Sequence, residues 1–573
     1  MRISRLEISN FRKVRKLTIS FPKGLSIIVG ENNVGKTTII DSLRLMLFSG
    51  RDFDSLRLNE DDFRKDEGYP PIEISITFCN LRDDDEVHFQ ECLVDLGDGK
   101  FDARLNLRAE LNSQTRRVNV KMWGGETEGG SLPSDLYDRI TSIYLQPLRD
   151  PESGLRPGRR SQISRLIDCL TSEDGREDFE TIAKDANEEI RKLKPIRDAK
   201  KDFDTQMTSI AGKELSQITE LVFTDPSFHR IIAGIQPEIE GMPFSLNGLG
   251  YNNLVFTAAT LGTLRRSEQY SFRSILVEEP EAHLHPQLQT LLLRHLASVA
   301  SEADGNAVQV IASSHSPILA SQAPLDAIVA VFETKASIQA VSVCQIDFDV
   351  TLKKKLERFL DATRAELFFA RRILMVEGIA EALLMPILAR IAGGNLRDSA
   401  VTVLNADGIN FNAFLPLLGG SNLTLPVAIL TDGDDSGKTG TPSAATLGLK
   451  AREGDIPTLK VCYSQITFEH ELAKSEHLLP VLVAAYTAMH PTNGAKLSQE
   501  IAGLDGNERK ADAFLAEFLR NKTSKGRFAQ EVATVLETRP DIPISAVPEY
   551  IHKAFEFLAV TKIDNPDEQH GNP

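Results

Sequence analysis

Two groups of residues have the types and spacing to do chemistry on phosphates. The first is Gly30-Glu31-Asn32-Asn33-Val34-Gly35-Lys36-Thr37, followed by Thr38. Two glycines let a backbone wrap closely enough for its N–H groups to face nucleotide phosphates. Lys36 adds a point charge, and the Thr37 hydroxyl can ligate magnesium. A pair of acids, Glu278 and Glu279, ends a later apolar run from Ser274 to Val277. Such a pair suits a magnesium-ATPase, the first acid holding the ion's water shell and the second orienting or deprotonating the attacking water. The other group is acidic. Glu377-Gly378 follows the apolar run Arg372 to Val376, Glu381 comes four residues later, and Asp432-Gly433-Asp434-Asp435 follows Val427 to Thr431. Acids separated by one residue suit hard cations with oxygen ligands, magnesium or manganese. Taken alone, Asp-Gly-Asp-Asp-Ser-Gly is a solvent turn, and Glu377-Gly378 on an earlier strand turns the reading toward metal.

The elements needed to position these groups can be read from periodicity. Leu25 to Val29 is a strand and Thr38 opens an amphipathic helix, so the Gly-rich loop sits at a strand-to-helix turn. Arg2 to Ser9 and Leu17 to Phe21 alternate as strands beside it. Pro71 to Phe78, Val87 to Asp95 and Ala103 to Leu111 extend an antiparallel sheet, and a strand closes at Gln146. Ser161 to Thr224 carries helical periodicity with many charges, a helical insertion and dimerisation arm within residues 161–225. Strands at Ala307 to Ala312, Arg372 to Val376, Val401 to Leu404 and Val427 to Thr431 follow, with a helix from about Asn410. In an open α/β sheet ligands gather at the carboxyl ends of the strands, where Glu377, Asp432 and Asp434 can converge. The expected organisation is an ATPase domain in two parts (1–160 and 226–345), a second α/β domain (365–540) and a frayed C-terminal tail (541–573).

Composition bounds the function. A chain of 573 residues with 41% hydrophobic content is a globular protein of several domains. It has no apolar run of membrane-spanning length, and its first residues read as a strand rather than a signal peptide. The five cysteines stand far apart, at neither zinc-ligand nor redox spacing, which suits the cytoplasm. A net charge of −16 argues against broad nucleic-acid affinity while leaving room for a local basic groove. No Ser/His/Asp or Cys/His constellation competes for the chemistry, and a primase's zinc ribbon has no cysteines to build it.

The stretch Ile8-Ser9-Asn10-Phe11-Arg12, ahead of the phosphate loop, resembles the opening of ATPases related to chromosome-maintenance and recombination proteins. That resemblance implies that Gln146 reaches the magnesium and attacking water. It also implies that Asn247, Gly248 and Gly250 form an altered ABC-type signature, which meets the γ-phosphate held by an opposite subunit. His283 and His285 become turn residues and His315 faces the γ-phosphate. The acid pattern of the second unit resembles the Toprim domain of topoisomerases, primases and some nucleases. An ABC/SMC-like ATPase with a helical insertion, followed by a C-terminal Toprim with a Rossmann-like parallel sheet, resembles the overcoming-lysogenisation-defect (OLD) nucleases over roughly residues 1 to 540. By that resemblance Thr467 to Leu472 supplies a further metal ligand, Glu469 or Glu471, and Asn521 to Ala529 supplies Lys525 for cleavage. The family implies ATP and magnesium or manganese as cofactors. It also implies DNA as substrate, a homodimer or homotetramer, a role in defence against phage or foreign DNA, and room for a helicase-like or other defence partner. The competing expectation is a recombination or repair ATPase whose second domain binds DNA without cutting it. A topoisomerase-like strand passer is a third, which would leave relaxed closed circles and a covalent protein–DNA adduct.

Overall fold

A computed structural model describes residues 1–48, 56–129, 132–133, 135–146, 154–158, 161–215, 217, 219–266, 270–301, 307–334, 337–408, 410–420, 422–435, 437, 439–539 and 541–560. The N-terminal lobe pairs two sheets. One is antiparallel, in the order β2-β1-β4-β6-β5 with β7 on β6, built from β1 (Arg2–Phe11), β2 (Val14–Ser20), β4 (Ile72–Cys79), β5 (Leu93–Asp95), β6 (Phe101–Leu111) and β7 (Val118–Gly124). The other runs β14-β13-β3-β12-β11-β8, from β3 (Leu25–Val29), β8 (Ile140–Leu145), β11 (Phe272–Glu278), β12 (Gln309–Ser314), β13 (Ile328–Glu333) and β14 (Ile338–Ser342). All its pairings are parallel except β13 with β14. A two-stranded hairpin, β9 (Glu238–Ile239) and β10 (Met242–Pro243), stands apart. The helix Lys36–Leu47 lies between the two sheets, its Ile39, Ile40, Leu43 and Met46 sharing a core with Leu6, Ile8, Ile74 and Ile76.

The C-terminal lobe is a four-stranded parallel sheet in the order β16-β15-β17-β18: β15 (Arg372–Val376), β16 (Val401–Asn405), β17 (Val427–Thr431) and β18 (Leu459–Tyr463). Its central strands are buried on both faces, as parallel strands are. Ile373, Met375, Val427 and Ile429 face a core that runs without a break into the parallel sheet of the first lobe, whereas Leu374, Val376, Ala428 and Leu430 face a second core made with helices. The two lobes therefore share apolar packing. Arg371, at the foot of β15, adds an ion pair at 2.6 Å to Glu31 of the phosphate loop.

Three sequence expectations need correction. Val87 to Asp95 is not a strand: residues Asp83–His88 form a helix, and only Leu93–Asp95 is extended. Four acids, Asp83 to Glu86, fill that helix's first turn, where the dipole favours negative charge, and Asp85 accepts from the Arg82 N–H to cap it. The helix expected from Asn410 is two short 3-10 turns, Asn410–Ala413 and Leu415–Leu417, with Pro416 among them. The segment from 541 to 560 is not a tail. It holds the helix Glu549–Phe557, whose Ile551, Ala554 and Phe555 are buried in the second core. Residues 561–573 lie outside the described residues. The insertion is helical (Gln162–Leu170, Glu173–Lys192, Lys194–Leu215), and it leaves Ile182, Leu193, Phe203, Ile210 and Leu215 exposed.

Candidate functional site

In the first lobe, strand register sets the site. Ser314 pairs opposite Val29 and Glu278 opposite Ser313, so the ends of β3, β12 and β11 share one rim. Gly30 has φ 152, and a Cβ there would stand 2.1 Å from the Val331 carbonyl oxygen, so no other residue fits. Gly35, at φ 93, opens the helix Lys36–Leu47 with no side-chain cap, leaving the first-turn N–H groups of the helix to the rim. Asn33 also adopts a left-handed turn. Lys36 Nζ donates to the carbonyls of Gly30 (2.6 Å) and Glu31 (2.5 Å), curled into the loop. Burial pushes its pKa down to about 8 against the pull of Glu279, Glu281 and Glu31. Thr38 is buried behind the loop and Asn32 is exposed at its tip.

The acids expected beside the loop lie at the same rim. Thr37 Oγ1 donates to Glu278 Oε2 at 3.4 Å, and the Tyr144 hydroxyl donates to Glu278 Oε1 at 3.2 Å. Burial, with help from Asp41, raises the Glu278 carboxyl. Gln146 follows Leu145, which pairs with Val277, so it is level with Glu278 and exposed. Residues 147–150 of that expected motif lie outside the described residues. Glu279 lies 3.5 Å from His315 Nε2, and burial together with Lys36 lowers the imidazole's pKa, keeping it neutral at pH 7. The His315 loop is held by Glu281, which accepts from Ser314 Oγ (2.7 Å) and from the His315 N–H (2.9 Å). His283 is a left-handed turn residue, and His285 caps the next helix by accepting from the Gln287 N–H at 3.4 Å. Asn247 is bonded within its own turn, to the Pro243 carbonyl, and Gly248 is exposed. A Cβ at Gly250 would meet the His283 carbonyl at 2.6 Å, so this turn packs on the loop that follows the acids. Tyr144 and Glu281 escaped the sequence reading. A tyrosine on a strand and a third acid in a turn carry no spacing signal, and only strand pairing brings them to the rim.

The second lobe gathers its acids at the carboxyl ends of β15 and β17. Glu377 accepts from Thr431 Oγ1 (3.0 Å) and from the Asp432 N–H (3.2 Å), tying the two strand ends together. Asp432 accepts from the Phe468 N–H at 2.7 Å and from Ser464 Oγ at 3.2 Å, which draws in the helix Phe468–Ala473. A Cβ at Gly378 would stand 3.1 Å from Glu381 Oε2, so that carboxylate lies over the strand end. A Cβ at Gly526 would stand 3.0 Å from Ile379 Cγ2. The helices Ile379–Ile391 and Lys525–Glu537 therefore pack closely, and Lys525 Nζ comes 3.1 Å from Glu469 Oε1. Glu471 goes elsewhere: it accepts from the Gln465 N–H at 3.0 Å and pairs with Lys474 at 2.9 Å. Asp434 is exposed in a left-handed turn two residues past Asp432, and Asp435 closes the following turn by accepting from Thr439 and Gly440.

Charge in this cluster is out of balance. Glu377, Glu381, Asp432 and Glu469 face one another across Lys525, and burial followed by Glu377, Glu469 and Glu381 pushes Asp432 up to about 8 despite the lysine. Burial also raises Glu381, with Glu469 and Glu377 adding to it. Burial lowers Lys525, but Glu469 and Asp432 outweigh it and the net shift is upward. Buried Glu469 Oε1 sits near Lys525 without hydrogen-bond geometry and has no hydrogen-bond partner. Oxygen donors and an excess of negative charge, four carboxylates against the one cation Lys525, fit a hard divalent cation. A separate group, His470, Glu508 and Asp512, brings its ligand atoms within 4.8 Å of one another. There Lys474 supplies counter-charge at 3.7 Å from Glu508, and the His470–Asp512 contact at 3.0 Å ties two helices.

Comparison with known proteins agrees with this layout. A family described as AAA ATPase domain matches residues 1–122 and 139–320, just over half the chain. One described as overcoming lysogenization defect protein-like, TOPRIM domain matches 368–434. The chain belongs to the AAA ATPase-domain family over its first lobe, and its second lobe is similar to the OLD-like TOPRIM domain. It is 26% identical to the OLD nuclease of Thermus scotoductus over 405 residues, 66% of this chain and 72% of that protein. It is 23% identical to the endonuclease GajA of Bacillus cereus over 524 residues, 76% of this chain and 74% of that protein. The solved C-terminal region of the Burkholderia pseudomallei OLD protein aligns with 34% of the chain and 100% of its own length, at 27% identity and TM-score 0.26. Among the described residues no helix is long and apolar enough to cross a membrane.

Proposed function

We propose that this chain is a nuclease of the OLD type: an ATP-binding and ATP-hydrolysing, divalent-metal-dependent DNA endonuclease of the cytoplasm, serving defence against phage or other foreign DNA. The observation that carries the reading is the meeting of Glu377, Glu381, Asp432, Glu469 and Lys525 from five separate elements. The names of the Thermus and Bacillus relatives support the same activity.

Hydrolysing a phosphodiester joins a water oxygen to phosphorus, breaks the bond to one ester oxygen, and moves a proton from the water to that departing oxygen. Magnesium or manganese bound at the carboxylates supplies a water made nucleophilic at neutral pH and neutralises the departing oxygen. Glu377, Glu381, Asp432 and Glu469 would hold it, with Asp434 at the rim as a further oxygen donor. Lys525, kept protonated by the acids, counters the charge that builds on the phosphate. Glu471 fixes Lys474 and the Gln465 turn rather than metal. In the first lobe Gly30 to Thr38 would hold ATP, with Thr37, Glu278 and Gln146 at its magnesium. Glu279 orients the attacking water, and His315 meets the terminal phosphate as a neutral donor. The exposed apolar residues of the helical insertion and the exposed Leu246, Leu249 and Tyr251 of the signature turn support a homodimer or homotetramer in which that turn serves another subunit's nucleotide. ATP occupancy then gates DNA at the carboxylate site.

Supercoiled plasmid incubated with manganese tests the cutting. Nicking by the wild-type chain that Asp432→Ala abolishes supports the endonuclease. Unchanged plasmid beside intact ATP hydrolysis supports the non-cutting repair ATPase instead.

A further inference from the structure

The helix Glu549–Phe557 lies past the last motif that marks the family in this sequence, yet it packs against β17 and β18, the strands whose ends carry Asp432 and Ser464. Ile551, Ala554 and Phe555 anchor it in the core, and the ring of Tyr550 packs against the same cluster. On its other side Tyr550 lines a cavity of about 390 Å³, together with Ser464, Gln465, Glu471 and Lys474. Ser464 is the residue that donates to Asp432 at 3.2 Å, so the cavity and the carboxylate cluster share a wall. The carboxylates of Asp432, Glu381, Glu471 and Glu469 all act on the phenol. Among the described residues its hydroxyl has no hydrogen-bond partner. A half-buried tyrosine whose O–H has no protein acceptor can offer that proton to a ligand in the cavity. Here the half-buried ring packs on the core, and the same residue lines the cavity that shares the Ser464 wall with the carboxylate cluster.

We propose that Tyr550 is a substrate-contacting residue of the nuclease site, its phenol donating a hydrogen bond to a non-bridging oxygen of the DNA phosphate that lies against Asp432 and Lys525. The proposal rests on the nuclease reading given above. It gives the site a neutral donor beside the one cation, Lys525, without adding charge to a pocket whose acids must also attract metal. The phenol acts as a donor and not as a nucleophile. An ordinary phenol is protonated at neutral pH, and burial among four carboxylates makes its anion harder still to form. The phosphodiester is therefore cut by water, and no protein–DNA bond forms at this tyrosine.

Tyr550→Phe removes only the hydroxyl. Single-turnover nicking of supercoiled plasmid in manganese is expected to slow about 10- to 100-fold, the size of one lost hydrogen bond to a charged group in the transition state. Affinity for a short duplex, measured by anisotropy in EDTA, and the melting temperature are expected to stay at wild-type values. Ile551→Val disturbs the packing of the same helix without touching the phenol, and should nick at the wild-type rate. If Tyr550→Phe nicks as fast as wild type while Asp432→Ala is dead, the tyrosine has no such role and the nuclease reading survives. If Asp432→Ala still nicks, the nuclease reading of this site fails and takes the tyrosine with it. Equal slowing in Ile551→Val would assign the effect to helix packing and overturn the proposal. So would a detergent-resistant protein–DNA adduct that Tyr550→Phe abolishes, which would make the residue a nucleophile.

Discussion

The buried carboxyl of Asp432 and the choice between two nearby glutamates are settled at the level of single side chains. Asp432 is held at about 8 in the fold, against about 3.9 in an unfolded chain. Between those values the folded protein binds a proton that the unfolded chain has lost, so this group's contribution to stability declines as pH rises from about 4 to about 8. Thermal melts in EDTA should show that slope, and Asp432→Asn should flatten it. A metal ion must displace the same proton, so manganese should raise the melting temperature more at pH 8 than at pH 6. Equal slopes in the two proteins, with an equal manganese effect at both pH values, would remove Asp432 from the proposed metal site. Glu469 and Glu471 make a second comparison. Glu469 faces Lys525 in the cluster whereas Glu471 is committed to Lys474 and the Gln465 N–H. Glu469→Gln should cost about 100-fold or more in plasmid nicking, the scale of losing a charge-stabilising group. Glu471→Gln should cost less than about 10-fold and show mainly as about 1 kcal/mol of stability, the worth of a partly exposed ion pair. The reverse ranking would exchange their roles.

Elements decide how these side chains are presented. The turn after β17 runs so close to the turn after β18 that a Cβ at Gly433 would stand 2.2 Å from the Ser464 carbonyl and 2.5 Å from that of Gln465. Both contacts are backbone, so neither can swing aside. Gly433→Ala should therefore move Asp432 away from Ser464 and Phe468, abolishing nicking and lowering the melting temperature while nucleotide binding at the other lobe persists. Retained nicking would show that the two turns can separate at little cost. The same scale explains what was legible in the sequence. Gly30 to Thr37 and Asp432-Gly433-Asp434 were readable because each follows an unbroken apolar strand, and the strand end fixes where the next residues go. The identity of the acid on Phe468–Ala473 was not readable. Successive acids on a short helix face different sides, and only partners remote in the chain, Lys525 or Lys474, select between them. The helix Glu549–Phe557 did carry a signal, since Ile551, Ala554, Phe555 and Leu558 repeat at helical spacing, but the polar residues beyond it hid a segment only nine residues long. The strand expected at Val87 to Asp95 failed because the acids ahead of it, Asp83 to Glu86, favour a helix N-terminus that takes in Val87 and His88.

Across the whole molecule the question is how the phosphate-loop rim of one lobe is joined to the carboxylate cluster of the other. The lobes are not joined by a loose tether. One core passes from Leu293 and Phe332 of the first lobe to Ile373, Met375 and Val427 of the second, so neither sheet moves without repacking the other. At the edge of that core Arg371 reaches Glu31 at 2.6 Å. Glu31 belongs to the loop that would wrap the phosphates, and its carbonyl accepts from Lys36. Arg371 begins the run that ends, six residues later, at Glu377. A nucleotide that draws Lys36 onto its phosphates would therefore pull on one end of a strand whose other end carries a carboxylate of the acidic cluster. Arg371 is mostly exposed, and a pair of that kind is worth no more than about 1 kcal/mol in stability. Arg371→Ala should accordingly melt within a degree or two of wild type. It should also bind ATP normally, because the arginine touches the outward carboxylate of Glu31 and not the phosphate-facing backbone. What should change is the response of nicking to nucleotide, with the rates measured with and without ATP converging in the variant. Charge reversal at both positions, Glu31→Arg with Arg371→Glu, should restore part of that difference if the pair itself is the link. An unaltered ATP response in Arg371→Ala would place the coupling in the shared core, where Phe332→Ala becomes the variant that uncouples the two sites.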